Sequence, residues 1–415
     1  MATNLKIDPE LLEEAKRIGQ FRTKREAVNL AHNFIDTHRE PYMITRRQFF
    51  QKSGILVAAL SLRGGQSMAD KRTESVWQMP DEAAEHECTW MAFGAREEIW
   101  DDLTHEVRRN LAAVAQAISK YEPVRMLVRP KERRLAAKLC GERVQLIEAE
   151  LDDLWIRDTG PMFVLNGKGE LGAVDLNFNG WGGKQEYDDD ATVAERLAEL
   201  THAEHLTTRL VGEGGGIETD GAGTAIVTES CFVNDNRNPK FDKTNIEIEI
   251  KKLLGLSKII WLPGIRGKDI TDGHTDFYAR FVRPGVVVAG LEMDRESFDY
   301  EVTRKHHEIL NAATDARGQK LKVISLESPR RVRQKLWSED FAAGYMNYYV
   351  INNAVITPEF GDVKADTRCK ELLGMLFPNR EIVQLNIDAI AAGGGGIHCA
   401  TQQQPRKSAR LNKAM

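Results

Sequence analysis

The sequence predicts an α/β protein. Short runs rich in β-branched residues alternate with runs of helical period from about residue 97 to residue 387. The 346 residues from Asp70 to Met415 also divide into about five units of about 70 residues, a length suited to a repeated ββαβ module. The units share no evident identity, so the count permits a repeat and does no more. The elements before Asp70 read differently and divide the chain into three parts, residues 1–42, 43–69 and 70–415.

In the first part, Leu5 and Ile7 alternate with Asn4 and Lys6, the period-two pattern of a short strand. Asp8-Pro9 then supplies an N-cap and a proline at the first helical position. Leu12, Ala15 and Ile18 make one apolar helix face, and Gly19 ends it. Thr23-Lys24-Arg25-Glu26 is a capping box opening a second helix, with Ala27, Leu30, Ala31 and Phe34 on one face. A strand followed by two helices of this size resembles the ribbon–helix–helix antitoxins of type II toxin–antitoxin pairs. The resemblance implies paired strands in a DNA major groove, with Asn4 and Lys6 facing bases. The other reading of residues 1–42 is a spurious leader.

Residues 43–69 point away from DNA. Thr45-Arg46-Arg47-Gln48-Phe49-Phe50 resembles a twin-arginine export motif. Gly54 to Leu62 is apolar and of signal-peptide length, too short for a stable span. Ser67-Met68-Ala69 places small residues where a signal peptidase reads, so cleavage before Asp70 is expected. The signal is expected to begin at Met43. Export by this route gives a periplasmic or exterior location, and without it the chain stays in the cytoplasm.

From Asp70 onward, Ile99, Leu103, Val107, Leu111, Val114 and Ile118 fall on one face of a long helix. The strand Val124–Val128 follows, then a helix through Leu139 and the strand Val144–Ile147. A strand around Thr224–Val233, a helix through Leu254 and the strand Ile259–Leu262 repeat the alternation. Strands Phe277–Val282 and Val286–Ala289 precede a helix from about Ser297 to Ala313 and the strand Val323–Leu326. The strand Tyr348–Ile356, a helix through Met375 and the strand Ile382–Ile387 complete it.

Composition narrows the function classes. Apolar residues make up 42% of the chain, enough for a substantial core, and a net charge of −5 argues against a general nucleic-acid binder. Such a surface would not repel a small cation. The five cysteines, Cys88, Cys140, Cys231, Cys369 and Cys399, are scattered and form no CxxC pair, so neither a disulfide framework nor a structural zinc site is indicated. No apolar run approaches the roughly 20 residues needed to cross a bilayer.

Four glycine-punctuated turns carry the candidate chemistry, and each is placed at a strand end. They are Trp155-Ile156-Arg157-Asp158-Thr159-Gly160-Pro161, Gly212-Glu213-Gly214-Gly215-Gly216, Asp272-Gly273-His274-Thr275-Asp276, and Gly393-Gly394-Gly395-Gly396-Ile397-His398-Cys399. Glycine lets the backbone bend sharply and approach a ligand closely. The turns supply two carboxylates, a histidine two residues from a third carboxylate, and a thiol. On a strand, His274 and Asp276 would point to one face. Singly, each has a plain alternative: Asp158 as an N-cap or turn residue paired with Arg157, Glu213 as a solvated loop residue, His274 as a core histidine, Cys399 as a buried thiol.

Together the four turns match a family. From about Trp77 to Pro405 the chain resembles the agmatine deiminases and the bacterial-type peptidylarginine deiminases related to them. Further matching segments are Met79-Pro80 with His86-Glu87 and Thr89-Trp90-Met91, then Phe178 to Gly183, Asn236-Arg237-Asn238-Pro239 and Trp261-Leu262-Pro263-Gly264. The resemblance implies the pentein fold, a five-bladed α/β propeller with a central active site. It also implies hydrolysis of a guanidinium group to a ureido group and ammonia, with neither metal nor cofactor. Residue by residue, it implies Cys399 as nucleophile, His274 and Glu213 in proton transfer, Asp158 and Asp276 gripping the guanidinium, and Trp155 lining the substrate pocket. Agmatine is the expected substrate, arginine in peptides or another guanidino compound the alternative, and a DNA-binding regulator acting through residues 1–37 the alternative of another class. A homo-oligomer is compatible with all of these.

The chemistry asks for these residue types independently. A guanidinium is planar, stays protonated and presents a fork of N–H donors, which carboxylates match in charge and shape. A thiolate can then attack the exposed central carbon. Three positions depart from the family pattern. Gly216-Ile217-Glu218 stands where Ser-Ile-His is usual, and Gly396 stands where asparagine is common.

Overall fold

The computed structural model describes residues 76–338 and 340–407. The antitoxin-like segment, the export signal and the expected cleavage site before Asp70 lie outside the described residues.

Five units follow one another. A two-residue strand β1 (Trp77–Gln78) precedes the first, which runs β2 (His86–Phe93), α1 (Thr104–Ile118), β3 (Val124–Val128), α2 (Arg133–Cys140) and β4 (Val144–Glu148). The second is β5 (Met162–Asn166), β6 (Leu171–Asp175), α3 (Val193–Thr201) and β7 (Glu204–Thr207). The third is β8 (Ile217–Thr219), β9 (Thr224–Thr228), α4 (Lys243–Leu254) and β10 (Lys258–Leu262). The fourth is β11 (Ala279–Arg283), β12 (Val286–Leu291), α5 (Asp299–Ala312) and β13 (Lys322–Glu327). The fifth is β14 (Tyr349–Ile351), β15 (Ala354–Glu359), α6 (Val363–Leu376) and β16 (Glu381–Asn386). In units two to five the first two strands pair antiparallel and the third pairs parallel to the second after a helical crossover. The first unit borrows its antiparallel strand from the far end of the chain: β17 (Gln402–Pro405) pairs with β2, Gln402 opposite Trp90. The ring therefore closes by joining the two ends of the repeat. This is the predicted ββαβ module, and the five units make the pentein propeller.

Local sequence sets each element. In α1 the period-3.6 face carries Val107, Leu111, Val114 and Ile118, all buried. Ile99 and Leu103, expected on the same helix, sit in the turns before it. Leu111 is fully enclosed, so truncation to alanine would cost about 2–5 kcal/mol. In α4, Asp242 caps the start by accepting from the Asn245 N–H, and Gly255 ends it with φ of +67°. β9 stops at Thr228, where the chain enters the helical turn Glu229–Phe232, so the expected strand to Val233 is shorter. The expected strand Tyr348–Ile356 is a hairpin, β14 and β15, turning at Asn352-Asn353 with Asn353 at φ +65°. Among the described residues no helix is long and apolar enough to cross a membrane.

The site turns all arrive at one place in the repeat. Asp158 lies in the turn Ile156–Thr159 leading into β5, and Glu213 borders the turn Gly214–Gly216 leading into β8. His274 and Asp276 belong to the turn Thr275–Phe277 leading into β11, and Cys399 precedes β17. The expectation that His274 and Asp276 share a strand face is corrected here. The chain at Thr275–Phe277 is a single 3₁₀ turn and β11 begins only at Ala279, so the two side chains reach the site by a turn rather than by strand alternation.

Candidate active site

The four turns converge. His274 Nε2 lies 3.1 Å from Glu213 Oε2, and His274 Nδ1 lies 3.7 Å from Asp158 Oδ1. Cys399 Sγ lies 3.6 Å from Asp276 Oδ2. The Arg157 N–H donates to the Cys399 carbonyl at 3.1 Å, tying the Asp158 turn to the cysteine loop. Gly215 is needed between the acid and the base: a Cβ there would stand 2.6 Å from His274 Nδ1 and 2.9 Å from Asp158 Oδ1. Its N–H instead donates to Asp158 Oδ1 at 3.1 Å, while Trp181 Nε1 donates to Oδ2 at 3.0 Å. Trp155 is buried against Gly395 and tilts on Trp100 with ring centroids 5.8 Å apart. All six predicted residues are thus brought to one buried region.

The electrostatics divide the ionisable groups. Burial opposes the charge of Glu213, but Arg237 and His274 win and hold it down to about 2. Arg237 Nε contacts Glu213 Oε1 at 2.7 Å. Burial also opposes a charged His274, yet Asp158 and the hydrogen bonds to Cys231 and Glu213 hold it well above its ordinary value. Asp158 is raised by burial and by the negative charge of Glu213 and Asp276. Burial opposes the charge of Asp276, but His398, His274 and Arg280 together outweigh it and hold the carboxyl below its ordinary value. The Cys399 thiol is pushed well above its usual range by burial, then by Asp276 and Asp158.

Sequence reasoning missed the residues that hold this arrangement. Asn347, in the turn Tyr345–Asn347 leading into β14, donates from Nδ2 to Cys399 Sγ and accepts at Oδ1 from the Cys399 N–H, both at 3.2 Å. It is the fifth unit's counterpart of Asp158, Glu213, His274 and Cys399, and its position in the repeat was the signal that could have found it. Asn347 also explains Gly396: a Cβ there would lie 2.4 Å from Asn347 Oδ1. His398 links Asp276 to Glu82 through its two ring nitrogens, each at 2.7 Å. Arg280 contacts both Glu82, at 2.7 Å, and Glu218, at 2.9 Å. Glu218, which stands where histidine is usual, is therefore one partner of a buried arginine.

Fold and constellation define a pentein that modifies guanidino groups. The chain belongs to the Porphyromonas-type peptidyl-arginine deiminase family, whose model matches residues 78–405. A curated Streptomyces coelicolor relative, provisionally named an agmatine deiminase, is 40% identical over 340 residues, covering 80% of this chain and 99% of its own. The solved agmatine deiminase of Enterococcus faecalis is 32% identical, with a TM-score of 0.76 over 82% of this chain and all of its own. An agmatine deiminase of C. jejuni with substrate bound is 25% identical, with a TM-score of 0.72 over 82% of this chain and 98% of its own. Residues 1–39 match a separate family model, described as a bacterial antitoxin of type II TA system, VapB.

Proposed function

We propose that the protein hydrolyses agmatine to N-carbamoylputrescine and ammonia. The observation that carries this reading is Asp276. Its Oδ2 faces Cys399 Sγ, and its Oδ1 is buried and accepts no hydrogen bond among the described residues. A buried carboxylate oxygen beside a thiol is matched by the N–H of a guanidinium, which brings its carbon to the sulfur.

In this reading Asp158 and Asp276 take the cation. Its positive charge offsets theirs, and Cys399 gives its proton to solvent as the thiolate forms. Sulfur attacks the central carbon, and His274 donates its proton to the departing nitrogen, which leaves as ammonia. Neutral His274 then takes a proton from water, whose oxygen attacks the thiouronium carbon. The carbon–sulfur bond breaks, the sulfur recovers a proton from the collapsing intermediate, and His274 is again protonated. One water enters, and one ureido product, one ammonia and one proton leave. Glu213, fixed by Arg237, orients His274 and balances its charge.

Assaying ureido product from agmatine, arginine and a blocked arginine peptide side by side tests the reading. Turnover of agmatine well above the others is expected. Efficient peptide turnover with none on agmatine would overturn the substrate, and no ureido product from any of the three would overturn the reaction.

We also propose that residues 43–69 direct export, with the mature domain 70–415 beginning at Asp70 and residues 1–42 as a separate segment. N-terminal sequencing from the native host checks this. Replacing Arg46 and Arg47 by lysine should leave precursor inside the cell, whereas a cytosolic protein intact from Met1 would remove the export reading.

A further inference from the structure

Cys231 has no part in the steps above, yet it points at their centre. It lies in the helical turn Glu229–Phe232 after β9, fully buried, and its thiol donates to Glu213 Oε2 at 3.2 Å. His274 Nε2 meets the same oxygen at 3.1 Å. One ligand atom from each of Glu213, Cys231 and His274 therefore lies within 4.8 Å of the other two. Carboxylate, thiol and imidazole form the donor set that suits zinc and its borderline-soft neighbours, and three protein ligands leave a fourth position open.

The surroundings already hold such ligands in place. Arg237 Nε donates to both Glu213 oxygens, Oε1 at 2.7 Å and Oε2 at 3.1 Å, and so fixes the carboxylate with Oε2 also facing the cysteine and histidine. Behind His274, Nδ1 is 3.7 Å from Asp158 Oδ1, too long for a hydrogen bond but near enough for this carboxylate to favour a cation at the imidazole. A route that admits a guanidinium to His274 also admits an ion, and Asp158 and Asp276 favour a cation along it.

We propose that Glu213, Cys231 and His274 form an inhibitory binding site for a divalent ion of the zinc class. Ligation converts the Cys231 thiol to thiolate and takes the proton from His274. One dication then replaces two protons, and the net charge facing Arg237, Asp158 and Asp276 is unchanged. With His274 and Glu213 engaged, no group remains to protonate the departing nitrogen. That consequence and the ion's route to His274 rest on the proposed hydrolysis; the arrangement of the three ligands does not.

Cobalt(II) titrated into the full-length protein separates the two. A sulfur-to-cobalt charge-transfer band saturating at one equivalent is expected in the wild type and in Cys399→Ser, and its loss is expected in Cys231→Ser. Absence of the band from the wild type would overturn the site, as would a band kept by Cys231→Ser and lost by Cys399→Ser. Far-UV circular dichroism and melting confirm that Cys231→Ser is folded, and Cys231→Ala serves if it is not. Zinc should also inhibit ureido formation, with the half-inhibiting concentration at least tenfold higher in Cys231→Ser, each variant being measured against its own metal-free rate. Equal inhibition of both would overturn the inhibitory role even where the cobalt band is present.

Discussion

His398 Nδ1 lies 2.7 Å from Asp276 Oδ2, the oxygen that faces the Cys399 thiol. The other ring nitrogen, Nε2, lies 2.7 Å from Glu82 Oε2, so His398 bridges two buried carboxylates. The residue next to the thiol in sequence thus fixes the rotamer of the carboxylate next to it in space. Glu82 is held in turn by Arg280, at 2.7 Å.

His398→Gln should therefore lower kcat/KM by about ten- to a hundredfold, in line with the loss of one charge-assisted hydrogen bond. The sign of its pH effect follows from the same contact. His398 leads the groups that together lower Asp276 against its burial, ahead of His274 and Arg280, so without it Asp276 protonates at higher pH. The acid limb of the pH profile of kcat/KM should move upward. A variant with reduced activity and an unmoved limb would show that His398 serves packing alone.

Glu213 and Arg237 give a stability prediction. Glu213 drops from 4.5 to about 2 on folding. A lowered carboxylate contributes stability above its unfolded value and loses it as pH falls through the folded one. The contribution is of order 3 kcal/mol, lost between about pH 5 and pH 2. Arg237→Met removes the main opposing charge and should cost about 3–5 kcal/mol near neutrality. The acid-side loss should then start at higher pH. Urea midpoints at a series of pH values measure both, and parallel curves for the two proteins would argue against the pairing.

Gly215→Ala tests the close approach of acid and base. The added methyl meets His274 Nδ1 and Asp158 Oδ1, neither of which is a flexible chain end. A loss of at least a hundredfold in kcat is expected, with the cost confined to the site and the melting temperature lowered by a few degrees at most. Retention of kcat would show that His274 has room to move during turnover.

What the sequence disclosed and what it hid both have physical reasons. Asp158, Glu213, His274 and Cys399 stand in turns whose glycines mark close backbone approach, and that signal is local. Asn347 stands in Gly344-Tyr345-Met346-Asn347-Tyr348, an unmarked apolar stretch, and becomes visible only by its place before the first strand of the fifth unit. Arg157 decides against the plain alternative for Asp158. As the neighbour of Asp158 it reads as its salt-bridge partner, but adjacent residues of a helical turn point apart. Arg157 runs instead to Gln403, at 2.8 Å, and to the His398 carbonyl, at 3.3 Å. The short hairpin β5–β6 and the closing strand β17 escaped because they show no long periodic run. β17 is four residues, three of them glutamine, and its pairing with β2 spans more than 300 positions.

The last prediction concerns the ionisation of Cys399. A free thiol titrates near about 8.5. Here burial and the carboxylates of Asp276 and Asp158 all act against the thiolate, and Asn347 offsets them only in part. The empty enzyme should thus hold a protonated thiol at neutral pH. A guanidinium entering between the carboxylates reverses the local field, so the nucleophile forms when its target is in place. Alkylation by iodoacetamide, a neutral reagent, should rise with an apparent pKa above about 8.5 in the empty enzyme. That value would belong to the thiol and His274 together, since the two titrate in one site. Asp276→Asn should lower it while weakening substrate binding, because the same charge opposes the thiolate and attracts the cation. An apparent pKa below about 7 in the wild type would instead mean a pre-formed thiolate–imidazolium pair, and activation by substrate would be abandoned.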